Sequence, residues 1–170
     1  MLFRSRAHAV HPLAAVQSEF SLFSRDVLHN GEKAVLDELG IGLVAFSPLG
    51  RGVLTSSVRS LDDLDADDAR RTLPRFQPDA FAANQRLVAR IEAIAAQKDA
   101  TVAQIALAWV IAQGVVPIPG TRRRSRLDEN AAAADIVLSA GDLDELAAAL
   151  PSDEITGGRD YAEHAVGVDR

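Results

Sequence analysis

Short apolar runs closed by turn residues alternate along the chain with stretches of helical period. Ala14, Ala15 and Val16 follow Pro12 and give way to Gln17-Ser18-Glu19, which predicts a buried strand running into a loop. Ile41 to Phe46 is almost continuously apolar and stops at Ser47-Pro48-Leu49-Gly50, the pattern of a parallel strand covered on both faces. A third run, Val115 to Ile118, ends at Pro119-Gly120 in the same way. Leu87, Val88, Ile91, Ile94 and Ala95 repeat at spacings of three and four, which predicts a helix from about Phe81 to Lys98. Thr101 with Gln104 forms a capping-box pattern ahead of a second helical stripe, Val102, Ile105, Ala106 and Trp109, which Gly114 stops. Ser125 precedes a helix through Ala134, and Ser139 opens a last helix that Pro151 ends.

Residues 51 to 80 lack periodicity, hold two prolines and carry the acidic stretch Asp62 to Asp68, so they read as a long surface loop. With no internal repeat and no linker, residues 1 to 170 read as one domain. Strands alternating with helices predict an α/β fold with a parallel sheet of about three strands and five or six helices. Three strands leave open whether such a sheet is flat or closed into a barrel, and a complete eight-stranded β/α barrel takes about 250 residues.

Composition narrows the function classes. Hydrophobic residues at 48% and charged residues at 25% fit a packed interior under a charged surface, and aromatics at 5% leave the core to aliphatic side chains. A net charge of -6 argues against general attraction to nucleic acid or to anionic lipid, although Arg122, Arg123, Arg124 and Arg126 form a local basic cluster. No apolar run approaches the roughly 20 residues that span a bilayer, and residues 1 to 12 lack the continuous apolar stretch of a signal peptide. The absence of cysteine removes disulfides, thiolate nucleophiles and zinc-cysteine sites, and fits a cytoplasmic protein. His8 and His11 lack a carboxylate or cysteine companion, and Asp62 to Asp68 lacks the glycine and terminal glutamate of a calcium loop, so no metal site is expected.

In parallel architectures ligands sit at the C-terminal ends of the strands, which directs attention to Gln17, to Ser47 through Gly52, and to Gly120 through Arg126. The second group offers a Pro-Gly turn whose amides can approach a phosphate. The third puts arginines at a helix start, where free N–H groups and the helix dipole favour an anion. Alone, those arginines would read as a solvated helix face.

Four segments at these strand ends, in this order, resemble the aldo/keto reductase family: Val16-Gln17-Ser18-Glu19-Phe20-Ser21-Leu22, Gly42 through Gly52, Pro117-Ile118-Pro119-Gly120-Thr121-Arg122, and Glu129-Asn130. The resemblance runs from about Ala7 to Tyr161 and looks like the sixth, seventh and eighth strands of that family's barrel, with the N-terminal catalytic part missing. It implies a partial β/α (TIM-type) barrel and NADPH as cofactor. Gln17 would then hydrogen-bond the nicotinamide carboxamide and Phe46 stack on its ring, a position where the family more often has tyrosine. Ser47, Pro48, Leu49, Gly50 and Arg51 would lie along the pyrophosphate. Gly120, Thr121, Arg122 and Arg126 would surround the ribose 2′-phosphate, and Glu129 and Asn130 would reach the adenine. Guanidinium groups suit a 2′-phosphate because their forked donors match its added negative charge.

The resemblance also implies what is absent. The family reduces aldehydes or ketones with a tyrosine, lysine, aspartate and histidine carried on earlier strands. Here Tyr161 belongs to a C-terminal tail, and Lys33 and Lys98 lie in helical segments, so no catalytic residue is assigned. The expectation is a cofactor-binding part that is inactive alone and comes from a reductase whose substrate is a small carbonyl compound. The alternative is a nonenzymatic NADP(H)-sensing or partner-binding module, which could form homo-oligomers through exposed sheet edges.

Overall fold

The computed structural model describes residues 2–55 and 57–158. Three strands, β1 (Ala15–Glu19), β2 (Gly42–Phe46) and β3 (Val116–Pro117), pair in parallel and in chain order. Parallel neighbours need crossovers. Between β1 and β2 the crossover consists of α2 (Asp26–His29) and α3 (Glu32–Glu38), and between β2 and β3 of α4 (Pro78–Gln97) and α5 (Val102–Ala112). Helix α1 (Leu2–Val10) leads in, and α6 (Arg124–Ala132) and α7 (Ala140–Ala149) follow. Seven α-helices among the described residues exceed the expected five or six. Helix α2 is a single turn, too short to show a period, and α1 precedes the first strand, where the sequence pattern predicts no element.

The local signals act as expected at the helix starts. Thr101 accepts from the Gln104 amide while Gln104 Oε1 accepts from the Thr101 amide at 2.9 Å, and Ser139 makes the same reciprocal box with Asp142. Helix α6 starts at Arg124 rather than after Ser125, with Arg123 as its N-cap. Strand β1 runs on through Gln17, Ser18 and Glu19, where the polar run suggested a loop, because its register beside β2 continues to Glu19 opposite Phe46.

Alternation along β2 divides the sheet into two faces. Leu43 and Ala45 are buried against a core that includes Leu36 of α3, Leu87, Ile91 and Ile94 of α4, and Ile105, Ala106 and Trp109 of α5. Each fully buried leucine or isoleucine contributes about 1.5–3 kcal/mol. The ring of Phe20, just past β1, lies 5.1 Å from that of Trp109. On the opposite face, Phe46 is 36% exposed, Ile118 46% and Val116 61%. The expectation that β2 is covered on both faces is therefore met on one face only, the other staying partly exposed with no helix packed on it among the described residues.

The stretch expected as a surface loop holds short 3-10 turns at Leu61–Asp63, Ala69–Thr72 and Pro74–Phe76. It sends Val53, Leu54, Val58, Leu64 and Phe76 into the core. Arg71 gathers three of its carbonyls, donating to Leu61 O and Leu64 O at 2.7 Å each and to Asp65 O at 2.9 Å. The segment is thus a folded flap rather than a purely superficial loop. Buried Asn84 ties down the chain after α7 by exchanging two hydrogen bonds with the Thr156 backbone, 2.8 and 3.0 Å. Among the described residues no helix is long and apolar enough to cross a membrane.

Candidate functional site

The chain leaves β2 through a turn in which Ser47 (φ 50°) and Arg51 (φ 58°) both take left-handed backbone conformations. Such conformations cost a non-glycine residue free energy and collect where a loop is shaped for contact. Gly52 follows at φ 102°, a conformation that favours glycine, and an added β-carbon there would crowd Arg70 Nη1 at 3.0 Å. The turn after β3 leads through Gly120 and Thr121 into α6. Thr121 Oγ1 accepts from the Arg123 amide at 3.1 Å, a side-chain turn that leads the chain into the helix.

These two turns face each other across a cavity of about 610 Å³. Ser47, Pro48, Leu49 and Arg51 line one side; Gly120, Thr121, Arg126, Glu129 and Asn130 line the other. Gly50 is buried inside the first turn. Phe46 sits immediately before that turn on the open sheet face, and Gln17 lies on the same face of β1, in register with Val44. Neither lines the cavity. Arg122, placed beside the 2′-phosphate by resemblance, is exposed and also outside the lining.

Sequence reasoning missed several walls of this cavity. Arg70 reaches it from the flap, Thr55 and Ser57 lie at the flap's start, and Thr101 and Ala103 belong to the N-terminal end of α5. Thr101 was visible as a cap but not as a wall. Its hydroxyl donates to Glu129 Oε1 at 2.7 Å, and Gln104 Nε2 donates to Glu129 O at 3.2 Å, so α5 fixes the carboxylate that α6 presents. Arg70 is held in turn by a forked contact with Asp68, 2.7 Å from Nη2 and 3.0 Å from Nε, and donates from Nη1 to Arg51 O at 3.0 Å. Hydrogen bonds from the Arg70 side chain and backbone, the side chain first, hold the Asp68 carboxyl down at about 2.

Arg51, Arg70 and Arg126 line the cavity against one carboxylate, Glu129. Asp68 stands behind Arg70 and Glu19 behind Arg51, so what the cavity offers is ordered guanidinium donors rather than surplus charge, and with the adjacent turn they suit an elongated ligand that carries anionic groups. Lys33 pairs with Asp37 and Lys98 with Asp142, and neither lysine lines the cavity. Tyr161 lies outside the described residues. His8 Nδ1 accepts the Leu13 amide at 3.1 Å. Among the described residues no group of three or more histidines and carboxylates is arranged to hold a metal ion.

Residues 3–151 match the model of the Aldo/keto reductase family. The chain belongs to that family. It is 43% identical over 161 residues to a probable aldo-keto reductase 1 of Glycine max, covering 92% of this chain and 45% of the relative. It is 41% identical over 169 residues to an aldo-keto reductase of Strobilurus tenacellus, covering 96% of this chain and 50% of the relative. The chain therefore spans about half the length of these curated aldo/keto reductases. Among solved structures, a thermostable aldo-keto reductase in complex with the inhibitor epalrestat superposes with a TM-score of 0.61 at 27% identity, covering 85% of this chain and 43% of its own. The glycerol dehydrogenase of Gluconobacter oxydans gives a TM-score of 0.77 at 22% identity over 88% of this chain and 46% of its own, a likeness of fold. The three parallel strands and their helices are thus a partial aldo/keto reductase barrel.

Proposed function

We propose that this single-domain chain is the cofactor-holding part of a cytoplasmic, NADPH-dependent oxidoreductase that reduces aldehydes or ketones. The observation that carries the reading is the convergence of the Ser47–Arg51 turn with Thr121, Arg126, Glu129 and Asn130 on one arginine-rich cavity. In this reading the pyrophosphate lies along Ser47, Pro48, Leu49, Gly50 and Arg51, with Arg70 above it. The 2′-phosphate meets Gly120, Thr121 and Arg126, with Arg122 at the outer rim, and the adenine reaches Glu129 and Asn130. Gln17 and Phe46 face the nicotinamide, which when bound supplies the hydride that a carbonyl accepts.

Arg126 carries the preference for the phosphorylated cofactor, since its forked donors have no counterpart ligand in NADH. Calorimetry with adenosine 2′,5′-bisphosphate is the direct test. Binding that disappears in Arg126→Ala supports the reading, and no heat at millimolar ligand removes it. Among the described residues the cavity lining holds no tyrosine or lysine to give a carbonyl its proton, and in this reading the chain alone does not turn over. Purified protein that oxidises NADPH with a simple aldehyde or quinone, at a rate scaling with enzyme, would contradict this.

The exposed apolar face of Phe46, Val116 and Ile118 favours a second reading, a nonenzymatic NADP(H)-sensing module that covers this face with a partner or a second copy. Light scattering separates the two. A monodisperse monomer that folds cooperatively without ligand counts against the module.

A further inference from the structure

Glu19 ends β1 with a side chain only 3% exposed, next to the cavity but outside its lining. A carboxylate taken that far from water is costly unless it is paired and hydrogen-bonded. Its Oε1 accepts from the Ser24 hydroxyl at 3.0 Å, and its Oε2 faces Arg51 Nη2 at 3.6 Å, an ion-pair distance rather than a hydrogen bond. Ser24 Oγ is held in turn by Arg75 Nη1 at 3.2 Å, and buried Arg75 also donates to Phe23 O and Gly157 O, both at 3.3 Å. The buried carboxylate thus sits on a fixed base and presents one oxygen to an arginine of the cavity.

Arg51 is restrained from two directions. Its guanidinium faces Glu19, while its carbonyl accepts from Arg70, and between them its backbone keeps a left-handed conformation. The β1–β2 register, Glu19 opposite Phe46, sets the carboxylate beside the strand that feeds the Arg51 turn. A long, flexible side chain ordered before its ligand arrives loses less freedom on binding.

We infer that Glu19 is a positioning residue that holds the Arg51 guanidinium poised for the cofactor's pyrophosphate. It links the end of β1, which carries Gln17, to the phosphate turn after β2. This rests on the NADP(H) reading above and adds a residue that the cavity lining does not show.

The test compares two ligands by calorimetry on the whole chain. NADP+ spans both ends of the cavity, whereas adenosine 2′-monophosphate reaches only the corner of Thr121, Arg126, Glu129 and Asn130. Glu19→Gln is expected to weaken NADP+ by about five- to tenfold, the scale of ordering one long side chain, and to leave the monophosphate unchanged. In an Arg51→Ala background the same change is expected to add nothing, because the two residues act as one unit. The claim is overturned if Glu19→Gln leaves NADP+ affinity unchanged or tightens it by freeing the Arg51 charge, if the loss persists without Arg51, or if both ligands weaken equally.

Order of the Arg51 side chain, read from its Nε–H NMR relaxation without ligand, is expected to fall in Glu19→Gln, and equal order in both proteins overturns the claim. Wild-type protein that binds neither ligand would defeat the cofactor reading, while this relaxation measurement would still decide the positioning claim. Should Glu19→Gln fail to fold, Ser24→Ala removes the donor that orients Glu19. There NADP+ is expected to weaken by about two- to threefold with the same loss of Arg51 order, and no change in either overturns the claim equally.

Discussion

The two faces of one three-stranded sheet meet different surroundings. Leu43 and Ala45 on β2 point into a core closed by α3, α4 and α5, whereas the neighbouring Phe46, with Val116 and Ile118 beyond it, forms an apolar face that no element covers among the described residues. Stability and the proposed cofactor binding call on different parts of this arrangement. The covered side is built from crossovers local to these strands, so the chain carries its own core. The cavity at the strand ends is likewise walled by local pieces: two turns, the flap, and the starts of α5 and α6. On the open side stand Gln17 and Phe46, the two residues proposed for the nicotinamide, with no opposing wall among the described residues. The end proposed for the phosphates and adenine is thus walled on several sides, whereas the end proposed for the nicotinamide stands open among the described residues.

The largest effect that can test this contrast is on stability. Leu43→Ala removes a side chain that is 3% exposed and is expected to cost about 2–5 kcal/mol in denaturant unfolding. Val116→Ala on the open face, 61% exposed, is expected to change stability by less than about 0.5 kcal/mol. Comparable losses at both positions would mean that the open face is packed in solution, and the contrast between the faces would fail.

A smaller effect compares the two ends of the proposed cofactor site. Arg126→Ala is expected to weaken NADP+ by about thirtyfold, on the order of 2 kcal/mol, as for charged hydrogen bonds to a phosphate. Phe46→Ala removes a stacking face worth about 0.5–1.5 kcal/mol and is expected to cost only a few-fold in NADP+ affinity. If Phe46→Ala cost as much as Arg126→Ala in calorimetry, the nicotinamide end would be as well formed as the phosphate end.

Sequence patterns made the covered side legible and left the flap obscure, for a physical reason. Strand β2 and helices α4 and α5 follow from apolar period and from the Thr101 box, because burial on one side imposes spacing on the sequence. The cavity's Ser47 and Arg126 follow from their place after the strands. Arg70 leaves no such trace. It acts through a fork to Asp68 and a bond to Arg51 O, nineteen residues away, and contacts of that kind impose no period. Arg122 is the opposite case: it stands in the motif beside Thr121 yet is exposed outside the cavity lining, a difference that sequence position does not reveal.

The smallest predicted effect probes that hidden flap. The Arg70 fork lowers the Asp68 carboxyl from 3.8 to about 2. A group whose folded value is depressed stabilises the structure above its ordinary value and loses that contribution as the pH falls towards the folded value. The clasp is therefore intact at neutral pH and expected to loosen only between about pH 4 and pH 2. Because Asp68 lies near the surface, the change should be local and should not unfold the protein. In a carboxyl NMR titration the wild-type Asp68 midpoint is expected near 2, rising in Arg70→Gln but staying below the ordinary carboxylate range because the amide of residue 70 still donates to the carboxyl. A wild-type midpoint near 4 would mean that Arg70 is not clasped in solution. The flap would then cover the cavity loosely, and the phosphate end would be as open as the face of Phe46.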